Sequence, residues 1–225
     1  MLRRPGGPTP TRRPASGEGS GGSLRAPWRA LTKCKLEGVN PPPQTLTPPL
    51  DPARDHVRGG AKPLVTLVEY GDFQCPYCGD AYPVVLELLG RYGDRLRFAF
   101  RHMPMVDLHP RARAAAEAAE AAGAQGRFWE MHDRLFTHQL ELSDAELRGH
   151  AEAIGLDVGR FDRELREGVH SERVDYDYLS GLRSGVPSTP RFFVNGAIQL
   201  GSGSRAELEE AISHELAAAT RAATL

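Results

Sequence analysis

Two cysteines separated by two residues are the part of this sequence best suited to chemistry. Cys75 and Cys78 lie where a short apolar stretch gives way to a helical pattern. A cysteine in the first turn of a helix is activated, because the free backbone N–H groups and the helix dipole favour its thiolate. Pro76 fits that first turn, where no backbone donor is needed. The spacing predicts Cys75 as the nucleophile and Cys78 as the resolving thiol of a redox-active pair.

The same spacing is also half of a zinc knuckle. Zinc would need two more Cys or His ligands at a matching spacing, and Cys34 is the only other cysteine. The eight histidines are scattered, and none completes an HxxxH pair. The residues therefore favour disulfide exchange over metal binding. We assign no metal ligand, and the only redox group that we expect is the Cys75–Cys78 disulfide.

The composition is that of a globular protein, with 40% hydrophobic and 25% charged residues. A length of 225 residues is enough for one sizeable domain. The net charge of −1 is unevenly distributed, because residues 1–60 carry 10 Lys and Arg against 4 Asp and Glu. These basic residues form no dense cluster and have no interleaved aromatic residues. They favour a solvated tail over binding to nucleic acid.

Residues 1–60 contain 11 of the 18 prolines and 9 of the 24 glycines. Such a segment buries too little apolar surface to offset its ordering entropy, so we predict a disordered tail and a folded domain over 61–225. Basic residues near Met1 are not followed by an apolar run, so neither a signal peptide nor a membrane span is predicted. The sequence as it stands indicates a cytoplasmic protein, or a periplasmic one if a leader is missing.

The hydrophobic pattern predicts a strand, a helix and a second strand around the cysteines. The run 64–70 is short, apolar and rich in β-branched residues, which is typical of a buried strand. Apolar residues then recur at helical spacing from Ala81 to Leu89, and the run 96–100 alternates as a strand does. This order is a βαβ unit, whose two strands should be parallel.

The second half of the chain is predicted as helices followed by a hairpin. From about 107 to 185 the pattern is helical throughout, and Ser143 with Glu146 forms a capping box. The dipeptide Asn195-Gly196 then separates two short apolar runs and suits a two-residue turn. Ser204, which begins a second capping box, starts the last helix. The predicted order is βαβ, helical insertion, ββα.

This arrangement resembles the α/β thioredoxin fold, and the all-helical insertion resembles the DsbA family of thiol-disulfide oxidoreductases. The resemblance covers about residues 61–220. It is carried by five stretches of the sequence, which are Glu69–Cys78, Phe100–His102, His109-Pro110, Gln125–Glu130 and Gly185–Gly196.

The resemblance implies roles for residues outside the cysteine pair. Thr189-Pro190 matches the family's loop with a cis proline that faces the sulfurs, and Glu69 matches an acidic residue buried beneath the disulfide. Phe73, Thr189 and Pro190 are the expected substrate contacts. Pro76 and Tyr77, between the cysteines, complete the active-site loop.

Glu69 is the only charged residue in the run 64–70. If the strand is central, burial should raise the pKa of this carboxyl group, which could then take the proton that Cys78 loses. The alternative is a glutamate exposed at the end of the strand.

We therefore predict a protein-disulfide oxidoreductase that works through a mixed disulfide at Cys75 and is recycled by a redox partner. Members of the family that drive oxidation strongly often carry His between the cysteines, whereas Pro76-Tyr77 is similar to glutaredoxins. A glutathione- or mycothiol-dependent enzyme is therefore an alternative function. Two non-catalytic alternatives are a CxxC module for metal binding or regulation, and a holdase.

Overall fold

The structure is a computed structural model, and it describes residues 45–201 and 203–222. At its centre is a five-stranded mixed sheet in the order β1-β3-β2-β4-β5. Strands β2 and β3 are parallel, and the other neighbouring pairs are antiparallel. The strands are β1 (His56–Gly59), β2 (Val65–Gly71), β3 (Leu96–His102), β4 (Arg191–Val194) and β5 (Ala197–Ile198).

Seven α-helices surround the sheet in the described part of the chain. They are α1 (Pro76–Tyr92), α2 (Ala112–Gly123), α3 (Phe128–Thr137), α4 (Asp144–Ala153), α5 (Val158–Glu167), α6 (Ser171–Arg183) and α7 (Arg205–Ala222). Helix α1 connects the parallel strands β2 and β3, and helices α2 to α6 lie between β3 and β4. The predicted order of βαβ, helical insertion and ββα is confirmed. None of the helices in residues 45–201 and 203–222 is long and apolar enough to cross a membrane.

The alternation of side chains along β2 builds a core on each face of the sheet. Val65 and Leu67 join the larger cluster, which also contains apolar residues of α1, α7 and the insertion. Val68 and Tyr70 point to the opposite face and pack in a smaller cluster that includes Leu46. Because both faces are covered, β2 is buried along nearly its whole length.

The prediction of disorder up to residue 60 is wrong for residues 45–60. Strand β1 pairs with β3, and Leu46 is buried in the smaller cluster. The fully buried Arg101 donates to both carboxylate oxygens of Asp55 and to the carbonyl groups of Pro48 and Pro49. The low apolar content of this segment gave no sign of its order, because one buried ion pair and backbone contacts hold it in place. Residues 1–44 lie outside the described residues.

The turn between β4 and β5 follows the prediction from its dipeptide. Asn195 and Gly196 have φ values of 48° and 83°. A two-residue type I′ hairpin requires positive φ at both positions, which Asn and Gly accept at low cost. The capping box of Ser143 and Glu146 at the start of α4 is likewise present.

Candidate active site at the start of helix α1

The two cysteines occupy the first turn of α1, at the carboxyl end of the central strand β2. Cys75 is the N-cap residue with an extended backbone, and Pro76 follows as the first helical residue. The carbonyl oxygen of Cys75 accepts hydrogen bonds from the N–H groups of Cys78 and Gly79, both at 3.1 Å. Both cysteines are free thiols. Cys75 and Cys78 are 3% and 0% exposed, whereas the Tyr77 side chain projects into solvent.

The surroundings of the two sulfurs shift their pKa values in opposite directions. A hydrogen bond from the Cys78 thiol lowers the pKa of Cys75 to about 6, while burial acts against it. The side chain of Thr189 and the N–H groups of Cys78 and Tyr77 lower it further. Burial raises the pKa of Cys78 well above its usual value, and the nearby Cys75 and Glu69 raise it further. At neutral pH the thiolate is therefore on Cys75, which agrees with the predicted roles.

The loop before β4 lies against the nucleophile. The Thr189–Pro190 peptide bond is cis, as the resemblance implied. The carbonyl oxygen of Thr189 is 3.5 Å from Sγ of Cys75 and accepts a hydrogen bond from its thiol. Thr189 is buried and Pro190 is half-buried beside it. The structure thus brings Thr189 and Pro190 together with Cys75, although they are more than a hundred residues apart in the chain.

Glu69 is buried in the middle of the sheet, between Phe100 of β3 and Phe192 of β4. Its side chain is in the larger core, and Oε1 has no hydrogen-bond partner among the described residues. Burial raises the pKa of Glu69 to about 8, the charge of Cys75 adds to this effect, and Arg58 opposes it. The alternative of a glutamate exposed at the end of the strand is therefore wrong.

Phe73 is not placed to contact a substrate. It is 1% exposed, and its ring packs on Phe100 and Phe136 at centroid distances of 5.1 and 4.9 Å. Phe136, from helix α3 of the insertion, covers the ring of Phe73. This contact joins two distant parts of the chain and could not be predicted from the sequence around Cys75. The prediction of Phe73 as a substrate contact is corrected to a core role.

Two residues that the sequence reasoning missed fix the active-site loop. Nε2 of Gln139 donates to the carbonyl oxygens of both Phe73 and Cys75 at 2.9 Å. The buried carboxylate of Asp72 accepts hydrogen bonds from the N–H of Gln74 and from Nδ1 of His109, both at 2.8 Å. His109 belongs to a stretch that carried the family resemblance, but no pattern in the sequence singles out Gln139.

An open groove of about 670 Å³ begins at Pro76 and runs between the active-site loop and the insertion. Leu140, next to Gln139, lines this groove and is 98% exposed. Leu142 forms part of its floor, and Asp144 and Glu146 stand at the start of α4 on its rim. The groove begins next to Cys75 at Pro76, most of its lining residues are polar, and Leu140 is its large, exposed apolar side chain.

Away from the cysteines lies a buried cluster of ionisable side chains. His102, Glu120 and Asp177 bring three potential ligand atoms within 4.8 Å of one another, and they are the one such group in residues 45–201 and 203–222. Arg173 forms ion pairs with both carboxylates. The guanidinium group of Arg173 therefore already supplies a positive charge to these acidic groups. The cluster includes neither cysteine, so it gives no support to a metal site at the CxxC motif.

Comparison with known proteins identifies the family. The family model described as thioredoxin matches residues 52–214, which is well over half of the chain. The chain belongs to the thioredoxin family. This thioredoxin-family chain has the same fold as BdbD from Bacillus subtilis, with a TM-score of 0.65 and 23% identity over 78% of this chain and 97% of that one.

A second solved structure is more similar in sequence. It is a thioredoxin-like oxidoreductase from Silicibacter pomeroyi, with a TM-score of 0.65 and 27% identity over 73% of this chain and 92% of that one. Its description as an oxidoreductase agrees with the general chemistry of the cysteine pair.

Other relatives carry names from a different class of protein. The Na(+)/H(+) antiporter NhaA 1 of Salinispora arenicola is 48% identical over 182 residues, which are 81% of this chain and 28% of the antiporter. The Na(+)/H(+) antiporter NhaA 3 of Salinispora tropica is 52% identical over 151 residues, which are 67% of this chain and 23% of the antiporter. The chain thus spans about a quarter of the length of these relatives.

Proposed function

We propose that this DsbA-like protein exchanges disulfides with protein substrates through a mixed disulfide at Cys75, and that a redox partner recycles its cysteines. The observation that carries the proposal is the opposite perturbation of the two thiols. Cys75, with a pKa of about 6, is mostly thiolate at pH 7, whereas burial keeps Cys78 protonated. A reactive thiolate beside a protonated resolving thiol is what a two-step exchange requires.

The first step is attack by the Cys75 thiolate on a substrate disulfide, which forms a mixed disulfide and releases one substrate sulfur as a thiolate. In the second step Cys78 loses its proton and attacks Sγ of Cys75, and the other substrate sulfur leaves. We assign the acceptor of that proton to the ionised form of Glu69. Its carboxyl group is buried and interacts electrostatically with Cys78, and the mixed disulfide removes the Cys75 charge that helps to raise its pKa. The reverse sequence oxidises a substrate dithiol.

Protein substrates are favoured over small thiols by the surface around Cys75. Tyr77, next to Cys75, and Leu140, in the groove that begins at Pro76, are exposed apolar side chains available to a larger substrate. The cis-proline loop, with the Thr189 carbonyl on the sulfur, forms the opposite side of the site. An extended segment around a substrate cysteine can therefore contact both sides at once.

The test uses a disulfide-bonded peptide and two variants. Cys75→Ser should abolish exchange, whereas Cys78→Ser should still attack and should accumulate a mixed disulfide that mass spectrometry detects. A glutathione-dependent enzyme would instead trap glutathione in preference to the peptide. A holdase would suppress aggregation equally well with both cysteines replaced, and a metal-binding module would bind zinc stoichiometrically when reduced.

We propose a second, more specific role as the thiol-redox module of a Na(+)/H(+) antiporter. The relatives named as antiporters support it, because the region that resembles this chain is joined there to a much longer protein. In cells, the Cys78→Ser variant should then trap an antiporter subunit as a mixed disulfide. Recovery of other proteins alone would reject this role. Alkylation of Cys75 by a membrane-impermeant maleimide in intact cells would test the expected cytoplasmic location.

A further inference from the structure

A glutamine of the helical insertion is bonded directly to the backbone of the nucleophile. Gln139 lies in the loop 138–143 between α3 and α4. Its Nε2 donates to the carbonyl oxygens of Phe73 and Cys75, both at 2.9 Å. Both acceptors are carbonyl groups, so the amide nitrogen of the side chain must face them. Gln139 therefore holds the chain on either side of Gln74, just where α1 begins.

Helix α1 leaves room for this amide by having a glycine at position 79. A Cβ atom placed on Gly79 would lie 2.1 Å from Oε1 of Gln139 and 2.8 Å from its Cδ. Gly79 is an ordinary helical residue of α1, and alanine is the better helix former. The contact with Gln139 is therefore the feature of the structure that favours glycine at this position.

The carbonyl oxygen of Cys75 is an acceptor that three donors share. It has two lone pairs. It receives the N–H groups of Cys78 and Gly79 at 3.1 Å and Nε2 of Gln139 at 2.9 Å, the shortest of the three. The N–H of Cys78 is also a donor to the sulfur of Cys75. Because Gln139 supplies the oxygen with a donor, the N–H of Cys78 is left available to the sulfur.

We propose that Gln139 is a positioning residue of the disulfide exchange, whose amide holds the Cys75 carbonyl group so that N–H groups of the first turn of α1 point at the Cys75 sulfur. These are the N–H groups of Tyr77 and Cys78. Hydrogen bonds to the charged sulfur favour the thiolate, so the insertion contributes to the nucleophile as well as to the groove. This inference rests on the proposed disulfide exchange for its effect on turnover.

Gln139 carries no charge, so its replacement neither adds nor removes an ionisable group. In the described part of the chain, the titratable side chains that interact with the Cys75 sulfur are Cys78 of α1 and Glu69 of β2. Both remain in the variants that compare the titration of Cys75. A change in that titration therefore reports a change in the hydrogen bonds to the sulfur.

Gln139→Ala removes the donor to the Cys75 carbonyl group. In the reduced wild type, alkylation of Cys75 by iodoacetamide should have a midpoint near pH 6. The variant should raise this midpoint by about half to one pH unit, as expected for a partial loss of hydrogen bonding to a charged group. At pH 5 it should therefore react roughly 3- to 10-fold more slowly than the wild type, and the two rates should converge above pH 8.

Gly79→Ala tests the same contact from the other side. The added methyl group displaces the amide, although Gln139 itself is still present. Alanine favours the helix, so this variant should keep or raise the melting temperature. Its alkylation midpoint should nevertheless rise as in Gln139→Ala, and the double variant should rise no further than the larger single shift. A merely structural role of Gln139 would not produce a raised midpoint together with undiminished stability.

Gln125→Ala is the matched control. Gln125 is a half-buried glutamine of the insertion that also bonds the backbone at two points, the N–H and the carbonyl group of Asp157. Its replacement should leave the midpoint unchanged. An unchanged midpoint in Gln139→Ala, or an equal rise in Gln125→Ala, would overturn the proposal. If Gln139→Ala does not fold, Gly79→Ala decides, because an unchanged midpoint in that variant would overturn the proposal as well.

Exchange with a disulfide-bonded peptide is measured separately. Combined with Cys78→Ser, Gln139→Ala should form the mixed disulfide more slowly than Cys78→Ser alone below the midpoint, and equally fast well above it. If Cys78→Ser forms no mixed disulfide at all, the proposed function fails. The alkylation midpoints need no substrate disulfide, so they still decide whether Gln139 positions the nucleophile.

Discussion

The replacement of Glu69 by glutamine gives a quantitative test of the buried carboxyl group. The pKa of Glu69 is raised from 4.5 to about 8 in the folded protein. The folded state therefore holds a proton that the unfolded state loses between these two pH values, so this group lowers stability as pH rises. A difference of about 3.5 between the two pKa values corresponds to about 5 kcal/mol. About 3 kcal/mol of this loss should be reached by pH 7.

Glutamine keeps the size and the neutral state of the protonated carboxyl group, but it cannot ionise. Reduced Glu69→Gln should match the wild type in stability near pH 4.5. Between pH 5 and pH 8 it should become more stable than the wild type by a further 3 to 4 kcal/mol or so. Urea unfolding at several pH values in the presence of a reductant measures this difference. Cys75 also titrates in this range and its charge is coupled to Glu69, so the same comparison is made with Cys75→Ser in both proteins.

Glu172→Gln, at an exposed position of α6, is the control for a change of one surface charge. Its stability difference from the wild type should stay nearly constant with pH. A difference between Glu69→Gln and the wild type that changes by less than about 1 kcal/mol over this range would refute a strongly raised pKa. Glu69 would then be too weak a base to take the proton from Cys78 in the resolving step.

Three further predictions concern the thiols, the groove and the amino-terminal segment. Iodoacetamide should alkylate Cys75 with a midpoint near pH 6, and Cys78 should react only at much higher pH; faster reaction of Cys78 at pH 7 would reverse their roles. Leu140→Ser should raise KM for a peptide disulfide while leaving the rate with dithiothreitol unchanged, and equal effects on both would remove the groove from substrate binding. Asp55→Asn should cost about 3 to 5 kcal/mol in urea melts by leaving buried Arg101 unpaired, and a loss below about 1 kcal/mol would show that the segment is held otherwise.

From residue 64 onwards, local patterns in the sequence were enough to predict the order of strands and helices. The capping box at Ser143 and the turn at Asn195 are each set by a few neighbouring residues, and both occur as predicted. The same holds for the apolar period of α1 and for the short run that became β2. These features depend on side-chain periodicity and backbone preference, which a single sequence displays directly.

Contacts between distant segments could not be predicted in this way. Gln139 is 64 residues from the carbonyl group of Cys75 that it binds, and no spacing rule links the two. Composition likewise gave the wrong state for 45–60, because the interaction of Asp55 with Arg101 spans 46 residues. Phe73 was predicted as a substrate contact, whereas the ring of Phe136 from α3 covers it.

The spacing of the two cysteines itself determines how their roles divide. Successive residues of an α-helix are rotated by about 100° and rise by 1.5 Å, so residues three apart lie on one face. With Cys75 at the N-cap, where the free N–H groups and Thr189 stabilise a thiolate, Cys78 falls one turn further in, against β2 and Glu69. One inserted residue would rotate the second sulfur away from this face and out of reach of both. The opposite pKa shifts of Cys75 and Cys78 therefore follow from one turn of helix laid across the end of a buried strand.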